Sequence, residues 1–141
     1  MEREKILRIL DANANRAREG LRVVEDYCRF VLDDADLSSA IKRMRHDVTD
    51  QMNAIGAASA LLEARDSESD VGAREPEPTA RPAVADVVMA NIKRAQEALR
   101  CLEDYSKALD TARSQMFKNI RFELYSLEKR LLPLLSEHQP S

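Results

Sequence analysis

Apolar residues recur three and four positions apart in four long stretches of the chain, the spacing that lines one side of an α-helix. Over residues 3–32 the stripe is Ile6, Leu7, Leu10, Ala14, Ala17, Leu21, Val24, Cys28 and Val31. The acidic run Asp33, Asp34, Ala35, Asp36 then offers turn and N-cap chemistry, because a carboxylate can accept from free backbone N–H groups at a helix start. A second helix is expected from about Leu37 to Ala64 on Leu37, Ile41, Met44, Val48, Met52 and Ile55, with Gly56 a mild weakness. Periodicity then stops. Residues 66–82 hold three prolines and seven charged side chains, and a loop of that length is usually either functional or disordered. A third helix starts near Ala83 with Val87, Val88, Ile92, Ala95, Leu99, Leu102 and Leu109. A fourth spans about Ala112 to Leu135 on Met116, Ile120, Leu124, Leu127 and Leu131, with Pro133 weakening its last turn.

The helices repeat. Residues 13–27 match residues 91–105 at nine of fifteen positions, among them Asn13/Asn91, Arg16/Arg94, Ala17/Ala95, Glu25/Glu103 and Tyr27/Tyr105. The second helices answer each other as well, Lys42, Arg45 and Asp47 aligning with Lys118, Arg121 and Glu123 after a linker two residues shorter. A lone amphipathic hairpin cannot bury its apolar side, whereas two together make a bundle. The expected fold is therefore all-α, four long antiparallel helices formed from a duplicated hairpin with internal pseudo-two-fold symmetry. The expected parts of this one domain are a first hairpin over 1–65, a Pro-rich acidic loop over 66–82, a second hairpin over 83–136 and a tail over 137–141.

Composition supports helices. Aromatic residues make up 4% and glycines number 3, which disfavours strands. A net charge of −3 with both signs intermixed gives no general reason to expect nucleic acid or an anionic membrane as partner. No apolar run is long enough to span a bilayer, and Met1 to Arg8 lacks the apolar core of a secretory signal, so a cytoplasmic location is expected. Cys28 and Cys101 have no zinc or redox spacing and read as small core side chains.

Several chemistries are excluded by what the chain lacks. There is no Glu-x-x-His for a di-iron bundle site, no zinc spacing, no glycine-rich phosphate loop and no seryl or thiol nucleophile motif. His46 lies opposite the Met44–Val48 stripe and reads as solvated. What stands out is polar: Asn13 and Arg16, with Asn91 and Arg94, lie in or beside the apolar stripe, while Arg22, Glu25 and Arg29 project to the opposite, solvated side. A buried guanidinium needs a counter-charge. Arg16 then pairs with Glu19 or Asp47 and Arg94 with Glu97 or Glu123, or else the arginines face a cavity and grip phosphate, for which their planar donors are suited. Gly20, opposite Ala98 in the repeat, either permits close helix approach or leaves room for a ligand. Tyr27 and Tyr105 read as rim residues with their rings on the core. Asp66, Glu68 and Asp70 form a hard-cation grouping of the kind that holds Mg²⁺ with substrate phosphates.

The run from Arg8 to Phe30, with Asp11, Asn13, Asn15, Arg16, Glu19, Gly20, Arg22, Glu25, Asp26 and Tyr27, then Arg45-His46-Asp47, Arg65-Asp66 and Asp70-Val71-Gly72, resembles a known family. This is the helical domain N-terminal to many bacterial thiamine phosphate synthases, similar to the second type of hydroxymethylpyrimidine phosphate kinase. The resemblance covers nearly the whole chain. It implies ATP-dependent phosphorylation of a pyrimidine monophosphate with Mg²⁺, and a thiamine phosphate synthase domain as covalent or physical neighbour. On this reading Asn13, Arg16, Arg45, Asn91 and Arg94 bind substrate and phosphate, and Asp66 and Asp70 hold the metal, with no general base assigned. The alternative is a non-catalytic helical module that dimerises or docks the synthase. Long amphipathic helices often associate, so a homodimer is among the expectations.

Overall fold

A computed structural model describes residues 2–55 and 83–137. It contains helix α1 (Glu2–Asp26), a single π-helical turn (Tyr27–Val31), α2 (Ala35–Ala54), α3 (Val84–Ser106) and α4 (Thr111–Glu137), with no strand among the described residues. Each hairpin pairs its own two helices, and the hairpins join mainly through α1 and α3, with α2 meeting α4 on the other side. This is the expected all-α bundle.

Both second helices start on an aspartate. Asp34 caps α2 by accepting the Leu37 N–H at 2.9 Å, and Asp110 caps α4 by accepting the Arg113 N–H at 3.1 Å. Capping of this kind satisfies a backbone donor that has no partner within the helix. The two turns differ in length between Tyr27–Asp34 and Tyr105–Asp110, and the first turn takes up its two extra residues partly as the π-turn. There the Leu32 N–H reaches back five residues to the Tyr27 carbonyl at 3.1 Å. Asp33 follows at φ 50°, a left-handed conformation that aspartate tolerates better than most residues. The tyrosines diverge with the turns: Tyr27 is buried in the core rather than at its rim, while Tyr105 is 45% exposed.

The core is aliphatic along its length, from Leu7, Leu10 and Leu21 through Ile41 and Met44 to Leu99, Leu124 and Leu131, with Phe117 wholly enclosed. At the α1–α3 contact, a Cβ added to Gly20 would lie 2.8 Å from the Asn91 carbonyl oxygen and 3.4 Å from the Ala95 Cβ. Of the two readings of this glycine, close helix approach is therefore the one observed. Any axis relating the halves must run through this contact, since α1 and α3 are each other's repeats.

Some boundaries differ from the sequence expectation. α2 ends at Ala54 with Ile55 as its C-cap, and residues 56–64 of the expected second helix lie outside the described residues, as does the loop over 66–82. α4 continues through Pro133 to Glu137, because Leu131 and Leu135 on either side of the proline are buried against the core. Tertiary packing here outweighs the lost hydrogen bond. Cys28 is buried as expected, but Cys101 is only half-buried.

Candidate functional site

Two polar seams, one per hairpin, run where the first and second helix of each half meet. In the α1–α2 seam the Arg45 Nε donates to Glu25 Oε1 at 2.6 Å. In the α3–α4 seam Arg121 donates to Glu103 Oε1 from Nε at 3.2 Å and from Nη2 at 2.8 Å. Glu25/Glu103 and Arg45/Arg121 are repeat-related, so one ion pair has been built twice.

Glu25 therefore corrects the sequence reading, which sent it to solvent. It stands eighteen positions after Leu7, and about five turns at 3.6 residues each return a side chain to the same side of the helix. Leu7 and Glu25 are both buried, as are Ala85 and Glu103 at the same spacing in α3. Arg22 and Arg29 are exposed as expected.

The burial and carboxylate pairing expected of Arg16 and Arg94 are not found. Both are exposed, and neither makes an ion pair among the described residues, so the buried guanidiniums are Arg45 and Arg121 instead. Arg16 lies on the solvent side of α1 with Arg8, about two turns before it, and Glu19, about one turn after. Asn13 is buried and Asn91 half-buried, and each Nδ2 donates to the carbonyl four residues back, to Ile9 at 2.9 Å and to Val87 at 2.8 Å. The two asparagines thus occupy equivalent settings. Among the sequence candidates only Arg45 enters a seam. Asp66 and Asp70 lie outside the described residues, and no group of three or more potential metal-binding side chains occurs among those described.

Around the shared ion pair the seams differ. In the second, Tyr125 accepts from Arg121 Nη1 at 3.3 Å, and the rings of Phe122 and Tyr125 lie 5.0 and 5.7 Å from the guanidinium carbon. Hydrogen bonding to Glu103 raises the Arg121 pKa further above its ordinary value. Glu128 accepts from Gln96 at 3.0 Å and pairs with Lys93 at 3.6 Å. In the first seam Thr49 takes the place of Tyr125, His46 of Phe122, Met52 of Glu128 and Arg18 of Gln96. Arg18 donates to Thr49 at 3.4 Å and to Asn15. His46 is exposed, as expected.

Where α2 meets α4, the repeat-related Asp47 and Glu123 interact. The Glu123 carboxyl is pushed above its ordinary range by desolvation first and by the Asp47 charge second, with Arg43 pulling the other way. Sequence reasoning missed Glu25, Glu103 and Arg121 as a unit. Their recurrence in both halves was the available signal.

The fold and its twin seams define a duplicated helical-hairpin domain. A family model described as the ThiD2 family matches residues 8–130, and the chain belongs to that family. Among curated relatives, the thiamine-phosphate synthase of Thermosynechococcus vestitus is 40% identical over 136 residues, covering 92% of this chain and 36% of that protein. That of Synechocystis sp. is 43% identical over 129 residues, covering 90% and 36%. That of Rhodopirellula baltica is 39% identical over 132 residues, covering 92% and 35%. The chain thus spans about a third of the length of the curated relatives it matches. No solved structure matches the chain. Among the described residues no helix is long and apolar enough to cross a membrane.

Proposed function

We propose that this domain works in thiamine biosynthesis, alongside a thiamine-phosphate synthase domain as neighbour, and transfers phosphate from ATP to hydroxymethylpyrimidine phosphate. Family membership supports the pathway, and the relatives' names support the neighbour. The observation that carries the chemistry is the repeated pair Arg16 and Arg94. Gly20 packs against Asn91 and Ala95, and Arg16 and Arg94 each stand within about one helical turn of that contact along their own helix. Both are exposed and without an ion pair among the described residues, so their guanidiniums are open to phosphate oxygens. Two cations flanking a transferring phosphoryl group act by positioning and by stabilising developing charge. Arg45 in the first seam, with Asn13 and Asn91, supplies further proposed contacts to substrate and phosphate, and Asp66 and Asp70 are the proposed Mg²⁺ ligands.

The test is a coupled assay with ATP, Mg²⁺ and hydroxymethylpyrimidine phosphate. Turnover should exceed a heat-treated control and fall in Arg16→Met and Arg94→Met, whose exposed positions leave folding intact. Turnover no higher than the control removes the enzyme reading.

A second reading is a non-catalytic helical module that docks the synthase or dimerises. It is favoured by the pairing of Glu25 with Arg45 and of Glu103 with Arg121, since buried ion pairs can serve only to fix register. A melting temperature unmoved by ATP, pyrimidine phosphate or inorganic phosphate would favour that module.

A further inference from the structure

The outer side of the α1–α3 contact carries four charges in a two-fold pattern. Arg16 and Glu19 stand about one turn apart on α1, and their repeats Arg94 and Glu97 stand about one turn apart on α3. All four are exposed, and none forms an ion pair among the described residues, either along its own helix or across to the other. Exposed charges elsewhere do pair along their helices, as Arg22 does with Asp26 and Arg100 with Asp104.

The pattern follows from the packing. Gly20 meets Asn91 and Ala95, and each of the four charges lies within about one turn of that contact. α2 and α4 run antiparallel: Arg113 at the start of α4 donates to Gln51 near the end of α2 at 3.0 Å, while Asp47, earlier in α2, acts on Glu123, later in α4. Each hairpin reverses direction, so α1 and α3 are antiparallel as well. The two-fold that exchanges them therefore emerges through this face, carrying Arg16 onto Arg94 and Glu19 onto Glu97. Apolar groups frame the charges. Ile9 and Val23 stand seven residues either side of Arg16, and Val87 stands seven before Arg94, a spacing that keeps each on nearly the same side of its helix. Val87 and Tyr105 on α3 are 36% and 45% exposed, and Ile9 and Val23 are half-buried.

We infer that a second copy of the chain docks on this face, with the glutamates of each copy paired to the arginines of the other. The charges select that partner, because a symmetric dimer needs a patch that matches itself after a half-turn. Turning the second copy over about an axis in the face and along the helices lays α1 of one copy on α3 of the other, bringing Arg16 opposite the partner's Glu97. Turning it over about the axis across the helices brings Arg16 opposite the partner's Glu19. An arginine meets a glutamate in either arrangement, since the repeat alternates the two around its own axis. The four charges sum to zero, so the face exerts no net attraction on nucleic acid or an anionic membrane. The apolar frame supplies contact area and the charges fix orientation. The inference rests on the second reading above, in its dimerising form, and gives it a surface. Phosphate and the partner's glutamates then compete for the same two arginines.

Sedimentation velocity over a range of protein concentrations tests it in the wild type, in Glu19→Arg/Glu97→Arg and in Arg16→Glu/Arg94→Glu. The substitutions lie at exposed helical positions, and circular dichroism checks that each variant keeps its helices. The wild type should dimerise. Each variant alone should self-associate at least about tenfold more weakly, because like charges now face each other. An equimolar mixture of the two variants should recover a heterodimer, an outcome that general loss of stability cannot produce. A wild type that stays monomeric into the sub-millimolar range, variants that dimerise as the wild type does, or a mixture that stays monomeric overturns the inference. A monomeric wild type whose melting temperature also ignores ATP and phosphate keeps the docking module and removes the dimer. Heterodimer formation in a protein without turnover keeps the dimer and removes the kinase.

Discussion

Glu103 accepts both the Nε and the Nη2 of Arg121 on a single carboxylate oxygen, at 3.2 and 2.8 Å. Its other oxygen lies 3.8 Å from Arg100. Both members of the central pair are buried, and removing one leaves the other charged without a partner. Arg121→Met should therefore cost about 3 kcal/mol in chemical denaturation. The double variant Glu103→Leu/Arg121→Met should recover most of that loss. If the double variant is as unstable as the single, the pair itself supplies stability beyond desolvation.

Gly20→Ala sets two effects against each other. Alanine gains about 1 kcal/mol of helix propensity, but its Cβ would meet the Asn91 carbonyl oxygen at 2.8 Å, an atom fixed in the α3 backbone. Overpacking of this kind costs about 1–3 kcal/mol, so the net change should be a loss of stability and a lower melting temperature. A gain would mean that α1 and α3 separate at little cost.

The two cysteines should react at different rates. Burial first, then the charges of Asp34 and Glu25, push the Cys28 thiol to about 11, so at neutral pH it is both neutral and covered. Cys101 is half-buried. Iodoacetamide labelling followed by peptide mass spectrometry should find Cys101 modified well before Cys28 in the folded protein, and comparable rates after denaturation. Because the folded-state value for Cys28 lies above the unfolded one, its contribution to stability is present at neutral pH and is lost as pH rises toward 11.

Glu123 titrates in the same sense and for the same kind of reason, desolvation first and a neighbouring negative charge second. Its raised carboxyl means that the protonated form is favoured in the folded protein, so its contribution is fully present in acid and is lost as pH rises through the carboxylate range. At neutral pH the ionised group opposes folding. Glu123→Gln should raise the melting temperature there, and the gain should shrink as the pH is lowered through that range. A gain independent of pH would exclude the electrostatic cause.

The architecture was legible because periodicity and repetition point to the same answer. Four stripes and the Asn13–Tyr27/Asn91–Tyr105 match require two hairpins that cover one another, and the Asp34 cap follows from the acidic turn before α2. The ion pairs were harder to read. Glu25 lies on the side of Leu7, but a glutamate at the edge of an apolar stripe can turn outward or inward depending on whether the facing helix supplies a cation there. Arg45 supplies it, from a helix whose rotation relative to α1 is fixed only by packing. Arg16 shows the converse: proximity to the stripe does not bury a long side chain when the neighbouring helix approaches closely at Gly20 and leaves the flank open. The contrast between the seams depends on the reach of Tyr125 against Thr49, which becomes informative only once Arg121 and Arg45 are known to hold the same place.

The α1–α3 contact also bears on descent. Either hairpin by itself would present to water a ridge whose natural complement is a second copy of that ridge, inverted. A single such unit would therefore have existed as a self-complementary homodimer, obliged to carry the same residue at both equivalent places. Fusion into one polypeptide lifts that obligation, so one twin can become rigid ballast while the other stays free to change its chemistry.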